Sequence, residues 1–201
     1  MSGYYYRCRL QGPAPCAPAY SFFRPLTVNP LPTVVISASP YTRLFPGLIT
    51  TLSSTVSPFA AATYTWYRDG IIVAGATGPT LSRDVDGQGD YYLRVTDING
   101  CTNNSNVISL RDSVSSNCFL YPNPNKGLFQ VRYHSAAGNV LARSVTVYNS
   151  NGTRVLTQYF TVAAPYARMD LDLRPYGKGV YWVEIGDHNG NRLTMCRAVV
   201  Q

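Results

Sequence analysis

The sequence predicts an all-β protein, and three observations carry that expectation. No window of ten or more residues sets apolar side chains at helical spacing. Short runs that alternate apolar and polar residues recur instead. Between them stand Asp69-Gly70, Asn99-Gly100, Asn151-Gly152 and Asn189-Gly190, dipeptides that tolerate the positive φ of tight hairpins and so join neighbouring strands. In chain order the expected strands are the Tyr-rich run GYYYRCR, then TVVISAS, ITTLSST, TYTWYRDG and YYLRVT, followed by FQVRY, SVTVYN, MDLDL, YWVEI and the terminal RLTMCRAVVQ. Alternation assigns their faces. Tyr91, Leu93 and Val95 point inward and Tyr92, Arg94 and Thr96 outward; Phe129, Val131 and Tyr133 form a second inward set, and Met169, Leu171 and Leu173 a third.

Composition bounds the function. The 201 residues are 45% hydrophobic and only 13% charged, with 17 Lys plus Arg against 10 Asp plus Glu and a net charge of +7. No stretch approaches the roughly 20 apolar residues of a transmembrane helix. The 16 Gly, 14 Pro and 16 Tyr describe a turn-rich, Tyr-rich surface typical of all-β extracellular modules. The basic residues are dispersed and are not interleaved with aromatics, so nucleic acid is not an expected partner. The N-terminal MSGYYYRCRLQGPAPCAP lacks an apolar core after a basic start and does not read as a signal peptide.

Five cysteines, Cys8, Cys16, Cys101, Cys118 and Cys196, contain no C-x-x-C pair and no nearby His, which argues against zinc. The odd count leaves at least one without an intrachain partner. An internal repeat bears on this. Gly3 to Arg9 matches Asp90 to Thr96 at an offset of 87, Cys16 falls on Cys101 at an offset of 85, and Ser21 and Ser105 follow, each ahead of another β-like run. Residues 1–30 therefore read as the last strands of a module whose earlier strands are absent, and a period near 85 indicates a tandem array of sandwiches. The expected organisation is 1–30, 31–115 and 116–201.

The middle stretch, with TYTWYRDG and DVDGQGDYYLRVTDINGC, resembles a bacterial immunoglobulin-like domain. That resemblance assigns Trp66 to the buried third-strand tryptophan and Tyr91 to the corner tyrosine of the sixth strand. Leu93 and the second-strand Leu52 stand where the usual disulfide would be. The match is closer to the cysteine-free surface repeats of gliding bacteria, whose terminal Asn-Gly-Cys pairs with an early cysteine; here that early place is Phe45, so Cys101 is left with a bridge to Cys118 or with none. Asp84, Asp86, Gln88, Gly89 and Asp90 have spacings reminiscent of a calcium loop, but Val95 occupies the place of the bidentate acid, and the stretch reads as an acidic turn with no metal.

The C-terminal YPNPNKGLFQVRY, SVTVYNSNGTRV, LDLRPYGKGVYWVEI and RLTMCRAVVQ resemble the type A C-terminal sorting domain of the type IX secretion system of Bacteroidota. The Pro-x-Pro-x-x-Gly entry is met by Pro122, Pro124 and Gly127, the strand-ending turn by Asn151 and Gly152, and Gly-x-Tyr by Gly179 and Tyr181. The final short strand contains Arg197 where many members have Lys, and Cys196 is not a family feature. Physically, the prolines hold an extended entry, Gly127 permits a turn, and Gly179 is expected to let the backbone approach closely before Tyr181. The resemblance implies recognition by an outer-membrane translocon and a shuttle, with removal by a surface sortase. The implied cut lies in the polar linker Arg111 to Cys118.

No catalytic constellation emerges. His134 and His188 adjoin no nucleophile motif and are assigned plain surface roles, Asp170 and Asp172 lie on an outward strand face, and the sequons at Asn103 and Asn151 read as turns. The expectation is a non-enzymatic exported protein at the cell surface or secreted, without cofactor, whose repeats are adhesive or spacer modules. Its Tyr64, Tyr67 and Tyr92 would suit a surface polysaccharide or protein ligand. The alternatives are a filament subunit that self-associates by strand addition and the tail of a larger secreted enzyme.

Overall fold

The structure, a computed structural model, describes residues 3–136, 140–163 and 165–201; Met1 and Ser2 of the predicted first segment lie outside the described residues. In chain order the strands are β1 (Tyr5–Tyr6), β2 (Arg9–Leu10), β3 (Ala19–Tyr20), β4 (Arg24–Pro25), β5 (Thr33–Ser39), β6 (Arg43–Leu44), β7 (Thr50–Ser57), β8 (Ala61–Arg68), β9 (Ile71–Ile72) and β10 (Thr80–Arg83). They continue with β11 (Gly89–Asp97), β12 (Thr102–Asn104), β13 (Ile108–Asp112), β14 (Phe119–Tyr121), β15 (Leu128–Arg132), β16 (Leu141–Tyr148), β17 (Arg154–Val162), β18 (Met169–Asp172), β19 (Gly179–Gly186) and β20 (Arg192–Val200). Two 3-10 turns, Val85–Gly87 and Arg174–Tyr176, are the helical elements of the described residues. The protein is all-β, as the alternating runs require.

The chain divides into two compact units. The first comprises Met1–Ser37, Leu52–Leu81 and Asp90–Ile108; the second comprises Ala38–Thr51, Ser82–Gly89 and Ser109–Gln201. In the first unit β8 pairs antiparallel with β11, setting Trp66 opposite Leu93, and β11 also pairs with β12. Trp66, Tyr91, Leu93 and Val95 are fully buried, beside Leu52 and Ile36 from the other strands. The Trp66 indole N–H donates to the Gly78 carbonyl at 2.9 Å, so burial of the ring leaves no orphaned donor.

In the second unit β15 lies between β14 and β18, and a four-stranded sheet runs β17-β16-β19-β20. Their inward residues form one core: Leu120, Phe129, Val131, Met169, Leu171 and Leu173 from the smaller sheet and its flank, with Val145, Val147, Tyr181, Val183, Ile185, Ala198 and Val200 from the larger. The inward sets expected from alternation therefore hold, with Tyr133 partly buried at the edge of the core. A short parallel pair, β6 with β13, also belongs to this unit.

One turn is built three times. In Asp97–Cys101, Asn149–Thr153 and Asp187–Asn191 the first side chain accepts from the backbone N–H two and four residues on, at 2.8–3.0 Å. The Gly N–H donates back to the first carbonyl at 3.0, 3.0 and 3.2 Å. Only the glycine takes a positive φ, at 82°, 78° and 84°, whereas Asp69-Gly70 has both residues positive, at 50° and 80°. Thus all four dipeptides join neighbouring strands, but three of them sit in a longer loop whose geometry the preceding Asx side chain holds.

Candidate functional site

The entry segment of the C-terminal sandwich and its last strand close on each other. Prolines at 122 and 124 have no backbone N–H of their own, so the two asparagines between and after them supply the bonds. The Asn123 side-chain N–H donates to the Arg197 carbonyl at 2.9 Å, and its Oδ1 accepts from Val199 N–H at 2.9 Å. Asn125 N–H donates to Val199 O and Gln201 N–H to Asn125 O, both at 2.8 Å, which makes a parallel bridge with Val200. Asn125 is 4% exposed, and its Oδ1 accepts from Gly127 N–H at 2.7 Å. Asparagine has a donor and an acceptor at one end and is suited to grip a strand from the side.

Gly127 is required here. Its φ is +94°, and a Cβ would meet the Arg174 backbone nitrogen at 2.9 Å. Its carbonyl accepts from Leu173 N–H at 2.7 Å, which ties the entry to the 3-10 turn. Tyr181 fastens the same turn from the core side, its hydroxyl donating to the carbonyls of Tyr176 or Gly177 at 2.7 and 2.9 Å. Gly179 does not play the close-approach role expected of it: a Cβ there would meet only the Tyr181 ring, at an ordinary 3.7 Å. Pro122, Pro124, Asn125, Lys126, Lys178 and Gln201 line an open groove of about 610 Å³. These are the only two lysines of the chain.

The structure thus gathers Pro122, Pro124, Gly127, Tyr181 and Arg197 about the entry, the last strand and the turn before β19. Gly152 lies apart, in the β16–β17 turn, lining a cavity of about 340 Å³ with Tyr148, Trp182, Glu184 and Met195. Arg197 is exposed on the outer face, opposite Trp182. Asn123 and Asn125 were not singled out in the sequence. Their signal was present in the pattern of hydrogen-bonding residues alternating with prolines, but the strand they grip lies more than 70 residues away.

Further pairings decide one open alternative and correct three expectations. Cys118 is bonded to Cys196, with the Cα atoms 5.9 Å apart, so of the two alternatives for Cys101 the unbridged one holds; Cys8, Cys16 and Cys101 are thiols. His134 is not a surface residue, since its side chain is 15% exposed and its Nε2 lies 2.7 Å from Asp112 Oδ2. Asn103 lies in β12 rather than in a turn, its side-chain N–H donating to the Pro32 carbonyl at 2.9 Å. The linker is also shorter than expected. Ser113 N–H donates to the Leu44 carbonyl at 2.8 Å, and the buried Tyr166 donates its hydroxyl to the Ser113 carbonyl at 2.5 Å. Arg111 and Asp112 are strand residues, so the exposed part of the linker is Val114, Ser116 and Asn117, with Ser115 half-buried between them.

The predicted acidic turn is spent on structure. Asp84 Oδ1 accepts from Asp86 N–H at 3.1 Å, and Asp86 receives both Arg132 NH groups, at 2.5 and 2.8 Å. The hydrogen bonds from Arg132 hold the Asp86 carboxyl below its ordinary range, against a smaller opposing effect of burial. Burial, with the Asp112 carboxylate adding to it, pushes the Tyr166 phenol up. Among the described residues no group of three or more His, Cys, Asp or Glu is placed to hold a metal ion.

Comparison with known proteins places these features. No curated protein matches the chain. Solved structures similar to it include fibronectin(III)-like modules of Clostridium thermocellum CbhA, at 16% identity over 84% of this chain and 94% of that one with a TM-score of 0.34. Dimeric latent PorU from Porphyromonas gingivalis matches at 14% identity over 92% of this chain and 23% of that one, TM-score 0.33. A two-domain fibronectin type III segment of chicken tenascin matches at 13% identity over 85% and 98%, TM-score 0.31. Residues 119–200, which hold the gripped last strand and its entry segment, match the family model of the secretion system C-terminal sorting domain, and such a domain implies export and dealings with a secretion machinery.

Proposed function

We propose that residues 116–201 are the address by which a type IX secretion system exports this chain, and that the protein acts at the cell surface or in the medium without catalysis. In this reading 31–115 is an immunoglobulin-like spacer or adhesive module and 1–30 the end of a preceding one. The observation that supports it most directly is the sorting-domain match over 119–200, whose entry residues fold onto the last strand of the chain. An outer-membrane translocon and a shuttle would read the surface around that strand, and a sortase would cut the exposed stretch Val114–Asn117 ahead of the disulfide. Because both half-cystines lie after the cut, the domain would leave as one piece.

The test is export of the full chain, preceded by a periplasmic signal, in a bacterium that has a type IX system. Surface or medium recovery that is lost on deleting 119–201, and lost in a translocon-null strain, is the expected result. Equal recovery from the translocon-null strain overturns the reading.

A further inference from the structure

An uncovered apolar surface among the described residues is the hairpin of residues 3–26. β1 and β2 pair with β4 and β3, and Tyr6 and Leu10 are 50% and 72% exposed, with Cys8 exposed between them. The same hairpin occurs a second time in the first unit, covered. Cys8 N–H donates to Ser21 Oγ at 2.8 Å and Ser21 N–H to the Cys8 carbonyl at 2.9 Å; Leu93 N–H donates to Ser105 Oγ at 2.9 Å and Ser105 N–H to the Leu93 carbonyl at 2.8 Å. Each serine hydroxyl then donates to the next carbonyl, Phe22 or Asn106. Strand register agrees: Arg9 opposes Tyr20 and Leu10 opposes Ala19, as Arg94 opposes Asn104 and Val95 opposes Asn103.

These bonds correct the repeat. The offset is 85, which lays Tyr6, Cys8 and Leu10 on Tyr91, Leu93 and Val95, whereas the sequence match at 87 laid Cys8 on Val95. A shift of two residues preserves the face, so alternation alone could not detect it. In the second copy all three inward residues are 0% exposed. On the opposite face of the first copy the Arg7 guanidinium stacks on Tyr20 at 4.0 Å and on Phe23 at 4.9 Å, and these rings remain 48% and 59% exposed. The Tyr6–Cys8–Leu10 face is bare although its counterpart in the second copy, Tyr91, Leu93 and Val95, is fully buried.

We infer that the Tyr6–Cys8–Leu10 face is seated in a further immunoglobulin-like sandwich made of the strands that normally precede such a hairpin, and that Cys8 is bonded there to a cysteine on the second of those strands. The occupant follows from the interface that the second copy already makes. Leu93 and the second-strand Leu52 are both fully buried in the first unit and stand where sandwiches of this kind place their inter-sheet disulfide. A Cys at the Leu93 position calls for a Cys at the Leu52 position of its own module. A second copy of this chain does not supply it, since its β5, β7 and β10 already form a sheet in its own first unit. Formation of the bond removes two protons and two electrons from two thiols and passes them to a disulfide-carrying oxidant, which becomes a dithiol.

A non-reduced peptide map of the protein isolated from its native cell surface or medium tests this. The expected result is a Cys8 peptide bonded to a cysteine outside these 201 residues, within an alternating apolar run. Cys8 found as a thiol, bonded to Cys16, or bonded to Cys8 of a second copy overturns it. A second measurement is independent of the native source: residues 31–87, carrying Leu52→Cys, are placed directly before Gly3 of the full chain. Loss of two titratable thiols, with amide exchange of residues 6–10 slowed by about a hundredfold or more, is expected. Four titratable thiols, the three of Cys8, Cys16 and Cys101 and the introduced one, with unslowed exchange, overturn the inference.

Discussion

The core around Trp66 and the C-terminal sandwich use the same five-residue Asx turn and the same alternation, yet they are tied together differently. Around Trp66 the described cysteine, Cys101, is a thiol, and cohesion comes from fully buried side chains with Trp66 among the largest. In the C-terminal sandwich the core is supplemented by the Cys118–Cys196 bond and by the asparagine grip on the last strand. The comparison teaches that turn chemistry forms hairpins in both places but does not join their ends. The element that begins at Phe119 and the strand that finishes at Val200 are held by contacts a hairpin cannot make.

The sharpest way to break the comparison is at Trp66. Trp66→Ala should cost about 3–5 kcal/mol, because it empties a fully buried site and orphans the Gly78 carbonyl. Calorimetry should show the transition of the first unit lowered while Cys118 and Cys196 still pair on non-reducing mass analysis. Next in size, the double variant Cys118→Ser, Cys196→Ser should lose about 2–4 kcal/mol, since the bond closes a sequence separation of 78 residues. Urea unfolding followed at Trp182 should report that loss, whereas a midpoint equal to the parent's would show that the asparagine grip suffices.

The smallest effect is at the Arg132–Asp86 pair. Asp86 has a folded pKa below its unfolded value, so its stabilisation is complete above about pH 4 and disappears as pH falls through the lowered folded value. The carboxylate side chain is 62% exposed, so solvent screening keeps the effect near about 0.5 kcal/mol. Asp86→Asn should flatten the fall in stability between about pH 4 and pH 2; an unchanged acid limb in matched thermal melts would remove the pair from the account.

Much of the candidate site was legible in the chain and some of it was not, for reasons visible residue by residue. Pro122, Pro124, Gly127 and Tyr181 are marked by the resemblance to sorting domains, and each acts through its own backbone or its own strand. Asn123 and Asn125 act on a distant strand, and nothing near them in sequence marks that strand. His134 was misjudged because its position at the end of β15 suggested solvent, while Asp112 approaches from another part of the unit. The accessible linker shrank because Tyr166, more than 50 residues on, reaches back to Ser113.

By itself the sequence determined the class of the fold, the inward faces of β11, β15 and β18, the four hairpin turns and the signature of the C-terminal domain. Each of these depends on a residue's own φ, on a period of two, or on neighbours within a few positions. The tertiary structure alone decided that Cys118 meets Cys196, that Arg132 meets Asp86, and that Cys8 stands in the register of Leu93. Those outcomes depend on which strands are brought side by side and on the register at which they stop. Strand register is a property of the assembled sheet, and a shift of two residues leaves every local pattern unchanged.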